Sequence, residues 1–252
     1  MSMEKYLNNQ PIALVTATRK EMQAVLGGRV QGLALEVNNP EKFMWGSRPL
    51  TLLITGIGPV NAALALGLLL GGKPGLAGVL NVGIAGSFQP EKIPLGGVVR
   101  VQTEIWPEFG LHTAEGLDPQ GLGLGHGRVQ GRVVWDRLDL HPLKQAYQMG
   151  LELCSSWPQV KSVSVAGVSG SPHRAAELQA KTRAEVENME GFALAWACTL
   201  RDVPFVQIRT ISNRVGSRSN KEWNMGLALS SLRQATKRLL GPDQDPLPGE
   251  KQ

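Results

Sequence analysis

Cysteine is scarce in this chain, whose 252 residues include only Cys154 and Cys198. Neither stands at a spacing typical of metal ligands, and two thiols do not make a disulfide framework. Each falls inside a predicted helix, so we expect both to be reduced, buried and packed as small apolar side chains. The sequence therefore predicts no metal site, and no motif in it predicts a cofactor.

Long apolar segments and long basic segments are missing too. The longest apolar run, residues 62–70, is too short to span a bilayer, and residues 1–10 lack the apolar core of a signal peptide. The formal net charge of +5 comes from scattered residues, without a basic run interleaved with aromatics. We therefore expect a cytoplasmic protein that binds neither nucleic acid nor membrane.

Buried apolar runs alternate with helical segments along the chain, which is long enough for one large domain. This alternation predicts a single three-layer α/β/α domain over residues 1–240, followed by a disordered tail at 241–252. The predicted strands are residues 12–16, 30–37, 50–55, 78–82, 97–103, 129–134, 163–168 and 203–211. The predicted helices are residues 22–26, the segment ending at residue 70, 143–156, the segment starting at residue 174, 192–200 and 221–240.

The segment Val-Glu-Asn-Met-Glu-Gly at residues 186–191 carries the strongest functional signal. It places two carboxylates and an amide just ahead of an apolar helix, where a carboxylate is costly unless it is hydrogen-bonded or used. The strand at 203–211 then ends in Ser212 and Asn213, as strands of open α/β sheets do when they present side chains to a ligand. We expect Glu190 and Asn213 to face one small polar molecule.

Glu21 follows the first predicted strand and lies in the first turn of the next helix. Two interpretations are equally good. The carboxylate either lies at the sheet edge where ligands bind, or it stabilises the helix N-terminus.

Glycine-rich segments follow two of the predicted strands, at residues 56–58 and 83–87. Glycines at such positions let backbone N–H groups approach a ligand closely, and two such loops on parallel strands indicate a shared crevice. Residues 104–127 form a third candidate region, because a long irregular loop in a compact domain is often functional.

Several of these segments together resemble the nucleoside phosphorylase/nucleosidase superfamily. The specific part of the resemblance is the pair formed by residues 186–191 and Ile-Ser-Asn-Arg-Val-Gly at 211–216. Supporting matches lie at residues 17–22, 55–63 and 81–86, so that the resemblance extends from residue 11 to about residue 240. Within the superfamily the chain most resembles the futalosine hydrolase family of nucleosidases, which serve menaquinone biosynthesis.

The resemblance implies a twisted, partly barrel-like mixed sheet, a homodimer or higher homo-oligomer, and cleavage of a ribosidic C–N bond without a cofactor. It implies that Glu21 activates the water, that Met189 and Glu190 hold the ribose, and that Asn213 meets N7 of the purine. The backbone of Ala85 and Gly86 would line the base or the water.

Asn213 is the position at which this chain departs from the adenine-releasing nucleosidases, which carry Asp there. An Asp can be protonated and donate to N7, whereas an Asn is a fixed donor and acceptor. Asn213 therefore suits hypoxanthine better than adenine, and futalosine better than its amino analogue or methylthioadenosine.

Further contacts with such a substrate are weaker candidates. Phe192 and Trp106 could pack on the base or ribose, although core packing is the commoner role for each. The carboxylate of the futalosine tail needs a partner, for which Arg214, Arg218 and His112 are candidates.

Two alternatives remain open from the sequence. A phosphorylase of the same fold would need arginines near the glycine-rich segments, which contain none, although Arg100 is close in sequence. A non-catalytic nucleoside-binding module is less favoured, because binding alone does not need Glu21.

Overall fold

The computed structural model of the chain describes residues 10–72, 75–129 and 131–241. Its strands are β1 (Ile12–Thr16), β2 (Glu41–Trp45), β3 (Arg48–Ile54), β4 (Gly78–Ser87), β5 (Val98–Ile105), β6 (Leu111–Thr113), β7 (Gly116–Asp118), β8 (Gly127–Val129), β9 (Arg132–Val134), β10 (Arg137–Asp139), β11 (Gln159–Ser164), β12 (Val186–Asn188) and β13 (Phe205–Arg214). Its α-helices are α1 (Arg19–Leu26), α2 (Pro59–Gly71), α3 (Pro142–Gln148), α4 (Pro172–Thr182), α5 (Gly191–Leu200) and α6 (Met225–Leu240).

Nine of the strands form one mixed sheet that partly closes on itself. The order β10-β5-β11-β12-β4-β1-β3-β2 is bridged by β13, which pairs in parallel with β4 and antiparallel with β5. Strands β4, β13, β5, β11 and β12 therefore form a closed circuit, since β11 pairs with β5 and β12, and β12 pairs with β4. The predicted barrel-like mixed sheet is confirmed.

Helices cover both faces of this sheet, which makes the predicted three layers. Along β1, Ile12 and Leu14 enter one core cluster while Ala13 and Val15 enter the other, because successive strand residues point to opposite faces. Helices α1 and α6 pack on the first face, and α2 and α5 on the second. A strand buried on both sides needs a nearly continuous apolar run, which β1 has over its first four residues, 12–15.

One predicted strand and the end of one predicted helix are wrong, because the backbone there departs from strand or helix geometry. Residues 30–37 form no strand; Val37 makes a single bridge, and Leu35 adopts a positive φ of 48°. Helix α3 ends at Gln148 rather than residue 156, since Gly150 has a φ of 65° that terminates the helix. Cys154 therefore lies outside any helix and is only partly buried, whereas Cys198 is buried as predicted.

Other corrections concern pairing that the sequence does not reveal. The predicted glycine loop at residues 83–87 is the end of β4, because β12 and β13 pair with it from both sides. Residues 104–127 contain the hairpin of β6 and β7, and residues 129–134 divide into β8 and β9, which pair as a hairpin. The short edge strands β2 and β10 were not predicted.

Several boundaries move by a few residues. Strand β11 ends at Ser164, four residues before the predicted end, and helix α6 begins at Met225 with Asn224 as its cap. The predicted tail lies outside the described residues except for Gly241, so it and the domain limits stay predictions. Within the described ranges, no helix combines the length and apolar character that crossing a membrane requires.

Candidate active site

A cavity of about 320 Å³ opens beside β4, β12 and β13 and the segment that follows β1. This volume lies at the lower end of the range typical of small-molecule sites. Three carboxylates line it, those of Glu21, Glu187 and Glu190. The other sequence-predicted residues that line it are Ala85, Gly86, Met189, Asn213 and Arg218.

Glu21 combines the two roles that the sequence left open. Its Oε2 accepts hydrogen bonds from N (2.9 Å) and Oγ1 (2.7 Å) of Thr18, which forms a capping box at the start of α1. Its Oε1 accepts a hydrogen bond from the backbone N–H of Ile84 at 3.0 Å. The carboxylate therefore stabilises the helix and also lies fixed in the cavity wall.

Glu190 lies at the junction of β12 and α5, 5% exposed. Its Oε1 accepts a hydrogen bond from the backbone N–H of Gly58 at 3.0 Å, and its Oε2 lies 3.8 Å from Nη1 of Arg209. Burial raises the pKa of this carboxyl above its ordinary value, and the neighbouring charge of Glu21 adds to that rise. Arg209 and the Gly58 N–H oppose the rise by favouring the ionised form.

Arg209 is a site-forming residue that sequence reasoning missed. Its guanidinium donates from Nη2 to Oδ1 of Asn81 (2.9 Å) and Asn188 (3.1 Å). A Cβ on Gly83 would lie 2.5 Å from its Nη1 and 3.0 Å from Oε1 of Glu21, so only glycine lets both groups approach there. An arginine in the middle of an apolar strand was the signal that could have found it, because arginine is seldom fully buried without partners.

Asn188 connects this cluster to a deeper carboxylate, Glu104. Asn188 Nδ2 donates to Glu104 Oε1 at 2.9 Å, and Gln207 Nε2 donates to the same oxygen at 2.7 Å. Ser164 Oγ donates to the other carboxylate oxygen at 2.8 Å. Burial raises the pKa of Glu104, which lies behind the cavity and does not line it.

Asn213 stands at the end of β13, after a bulge that the ladder with β4 shows between Ile211 and Asn213. Its Oδ1 accepts a hydrogen bond from Ser212 Oγ at 2.8 Å, and its Nδ2 donates to the carbonyl of Arg214 at 3.0 Å. An amide nitrogen carries two hydrogens, so a second one can serve a ligand.

Glu187 was part of the predicted segment, but no role was predicted for it. Its Oε1 accepts from the backbone N–H of Ser169 at 3.0 Å, and its Oε2 accepts from Ser169 Oγ at 2.5 Å. Burial raises the pKa of this carboxyl, while the Ser169 hydrogen bonds, followed by the charges of Arg174 and Arg218, act in the opposite direction.

The structure does not bring Phe192, Trp106, Arg214 or His112 into this cavity. Phe192 and Trp106 pack together with their ring centroids 5.8 Å apart. Arg214 is held by Glu222, with 3.0 Å between Nε and Oε1. His112 lies exposed in the hairpin of β6 and β7.

The cavity also has features that were not predicted. Two cationic residues line it, Lys20 and the predicted Arg218. The Nε of Arg218 lies 4.0 Å from the position that a Cβ on Gly170 would take. Trp223 and Met225, which precede or begin α6, form part of its apolar wall. A site with three carboxylates, two amides and an apolar wall suits a polar molecule that also has an apolar part.

Comparison with known proteins decides the family. A model described as the phosphorylase superfamily matches residues 11–241. The chain belongs to the phosphorylase superfamily. The superfamily predicted from residues 186–191 and 211–216 is thereby confirmed.

Proteins with named activities resemble the chain over most of its length. It is 36% identical over 195 residues to the futalosine hydrolase of Thermus thermophilus, covering 76% of this chain and 81% of that protein. It is 33% identical over 194 residues to the futalosine hydrolase of Streptomyces coelicolor, covering 75% and 77%. The structure of a futalosine hydrolase mutant of Helicobacter pylori aligns with a TM-score of 0.65 at 18% identity over 91% of this chain and 97% of that one, which confirms the fold.

Proposed function

We propose that this protein is an N-glycosyl hydrolase that cleaves the N-ribosidic bond of futalosine. The products are hypoxanthine and dehypoxanthine futalosine, and the reaction belongs to menaquinone biosynthesis. The observation that carries the proposal is that Glu21, Glu190 and Asn213 line one cavity in a chain 36% identical to a futalosine hydrolase.

Glu21 acts on the water. Its two oxygens are fixed by Thr18 and Ile84, so that the carboxylate keeps one orientation at the cavity wall. A fixed carboxylate can orient a water molecule toward C1′ of the ribose and take its proton as the new C–O bond forms.

Glu190 acts on the sugar. Hydrolysis of an N-glycoside passes through a transition state with positive charge on the sugar, as in other glycoside hydrolyses. Glu190 Oε2 is 3.8 Å from Arg209, too far for a hydrogen bond, and can accept from O2′ or O3′. The carboxylate thereby holds the ribose and stabilises the developing cation, while Met189 packs beside the ring.

Asn213 acts on the leaving base. The electrons of the C1′–N bond leave with hypoxanthine and spread onto N7 and O6. The remaining hydrogen of Asn213 Nδ2 donates to one of these atoms and stabilises the departing charge. The backbone of Ala85 and Gly86 lines the same region.

A cation meets the carboxylate of the futalosine tail. Two of the cavity-lining residues are cationic, Arg218 and Lys20. Arg218 lies beside Gly170, and its charge already acts on Glu187. Lys20 lies next to Glu21 in the first turn of α1. We therefore propose Lys20 for the tail. Lys20→Met should lower kcat/KM for futalosine but not for inosine, which has no tail, and an equal loss for both would refute this assignment.

The superfamily also contains phosphorylases, but Arg100 does not serve this cavity. Its Nη1 donates to the carbonyl of Cys154 at 3.3 Å instead. A non-catalytic binding module would account for the capping box that Glu21 forms with Thr18, but not for the second hydrogen bond, from Ile84, that fixes the same carboxylate in the cavity wall.

We further propose a cytoplasmic homodimer or higher homo-oligomer. Support comes from α2, on which Val60, Leu64 and Leu68 are 79%, 54% and 66% exposed. Apolar side chains spaced four residues apart form one stripe on a helix, as expected of a subunit contact. A monomeric mass by light scattering would refute it.

Chromatography of the products tests the substrate assignment. The purified protein is incubated with futalosine, aminodeoxyfutalosine, inosine and methylthioadenosine. We expect hypoxanthine from futalosine at the highest kcat/KM. Equal or faster adenine release from aminodeoxyfutalosine, or no base from any of the four, would refute it.

A further inference from the structure

Glu187 is a cavity carboxylate that takes no part in the hydrolysis proposed above. It is 6% exposed and borders the cavity from β12, next to Asn188 and Met189. Burial of a carboxylate is costly, and apolar residues would fill a purely structural position at lower cost. Its place in the sheet indicates which part of a substrate it meets.

Glu187 and Asn213 flank the same residue of β4, Gly86. Glu187 pairs with Gly86 across the antiparallel ladder of β12 and β4, and Asn213 pairs with it across the parallel ladder of β4 and β13. Residues in register point to the same face of a sheet, and two strand spacings separate the outer Cα atoms by about 10 Å. Glu187 and Asn213 therefore stand on opposite sides of Gly86, facing the same cavity.

Gly86 lets Asn213 and Val215 lie close to the backbone of β4. A Cβ at this position would lie 2.8 Å from Val215 Cγ2 and 3.1 Å from Asn213 Nδ2, so a side chain there would displace both. Because glycine has no side chain, the backbone of β4 at Gly86 is the floor between Glu187 and Asn213.

The two sides of this floor differ in hydrogen-bonding character. Both donors of Ser169, its N–H and its Oγ–H, are turned toward the carboxylate of Glu187 at 3.0 and 2.5 Å. That side therefore presents carboxylate lone pairs to the cavity, since an ionised carboxylate only accepts. The other side presents the remaining N–H of Asn213 Nδ2.

We propose that Glu187 accepts a hydrogen bond from N1–H of a 6-oxopurine and so selects the base, an inference that rests on the proposed function. A 6-oxopurine carries a hydrogen on N1 and acceptors at O6 and N7, which match the Glu187 side and the Asn213 side. A 6-aminopurine carries a lone pair on N1, which would face the lone pairs of Glu187 and leave both unpaired. Sites built to hydrogen-bond a substrate N–H reject the analogue that lacks it.

Glu187→Gln tests this role with futalosine and its 6-amino analogue, which differ only at C6 of the base. The Gln amide can accept from N1–H or donate to an N1 lone pair, and it can still accept from Ser169. We expect the ratio of kcat/KM for futalosine to that for the amino analogue to fall at least about tenfold. An unchanged ratio, with both substrates slowed alike, would mean that Glu187 only holds Ser169, and would overturn the proposal.

Glu104→Gln is the matched control. Glu104 is also a buried carboxylate whose pKa is raised by burial, but it does not line the cavity. Its substitution should affect the two substrates alike and leave their ratio as in the wild type. A shift of the ratio as large as that of Glu187→Gln would overturn the assignment to Glu187.

Binding of free bases separates this inference from the proposed function. Calorimetry should show that the wild-type protein binds hypoxanthine more tightly than adenine or 1-methylhypoxanthine, which lacks N1–H, and that Glu187→Gln reduces the preference over adenine. The same result without release of hypoxanthine from futalosine would refute the proposed function and keep the inference. Turnover of futalosine with equal binding of hypoxanthine and 1-methylhypoxanthine would refute the inference alone, and this comparison needs no variant.

Discussion

Arg209 and Glu190 form a buried ion pair in which Nη1 and Oε2 are 3.8 Å apart. Their side chains are 1% and 7% exposed, so water screens the two charges little. Arg209 also donates to Oδ1 of Asn81 and of Asn188, and the same Asn188 Oδ1 accepts a hydrogen bond from the backbone N–H of Glu190 at 2.9 Å. The arginine therefore holds the Glu190 carboxylate by charge, and it holds the Glu190 backbone through the side-chain amide of Asn188.

Replacing this arginine should destabilise the protein strongly. Arg209→Met leaves Glu190 buried without its cation, which costs about 3–5 kcal/mol in the free energy of unfolding. Urea denaturation measures that loss. Arg214→Met is the control, because its pair with Glu222 is half exposed and contributes at most about 1 kcal/mol. Similar losses for the two variants would contradict the account.

Glu21→Gln should separate turnover from binding. Gln can keep the capping box with Thr18, so the fold of α1 should persist. It cannot take a proton from water, so we expect kcat to fall by about 10²- to 10⁴-fold while substrate still binds. Steady-state kinetics and calorimetry measure the two quantities, with the exposed Glu36→Gln as a control that should match the wild type. Retained turnover in Glu21→Gln would contradict the proposed role.

The activity should be lost on the acid side at a higher pH than an ordinary carboxylate would give. Glu190 must be ionised to accept from the ribose hydroxyls, and burial raises its pKa above the ordinary value of about 4.3. As the pH falls through this raised pKa, Glu190 becomes protonated and kcat/KM should decline. A profile of kcat/KM against pH that stays flat down to about pH 4 would contradict this prediction.

The same profile in Glu187→Gln shows whether Glu187 is the titrating group. Burial raises the pKa of Glu187 as well, so its carboxyl is a second candidate for the group that sets the acid limb. If Glu190 sets it, the limb persists in this variant. Its disappearance would assign the limb to Glu187 instead.

Asn213→Asp should change which base is released. An Asp that gains a proton can donate to N7 of adenine, whereas an ionised Asp repels the charge building on hypoxanthine. We expect hypoxanthine release from futalosine to weaken relative to adenine release from its amino analogue. The ratio of the two kcat/KM values measures this, and a ratio equal to that of the wild type would count against a base-reading role for Asn213.

The sequence predicted the parts of the fold and site that depend on local pattern. Strand β1 was predicted at its observed limits from a short apolar run, and Glu21, Glu190 and Asn213 were selected as polar residues at element ends. The features that the sequence could not predict depend on strand pairing and side-chain contacts between segments that are distant in the chain. Residues 83–87 were predicted to form a loop because glycine weakens a strand signal, and only β12 and β13 make them a strand.

The same limit applies to the missed and misplaced site residues. Arg209 acts through Asn81 and Asn188, which are 128 and 21 residues away in the chain. Phe192 follows Glu190 by two residues, but it lies on the face of α5 that packs against Trp106 rather than in the cavity. The position of Phe192 close to Glu190 in the sequence therefore did not show whether its side chain lines the cavity.

Phosphate dependence tests the central claim, hydrolysis by water, most directly. Futalosine is incubated with the purified protein in phosphate-free buffer and in buffers of increasing phosphate, and both the base and the sugar product are identified. We expect hypoxanthine release at the same rate in every buffer, with a free sugar as the second product. Release that requires phosphate and yields a sugar 1-phosphate would contradict the account and make the protein a phosphorylase.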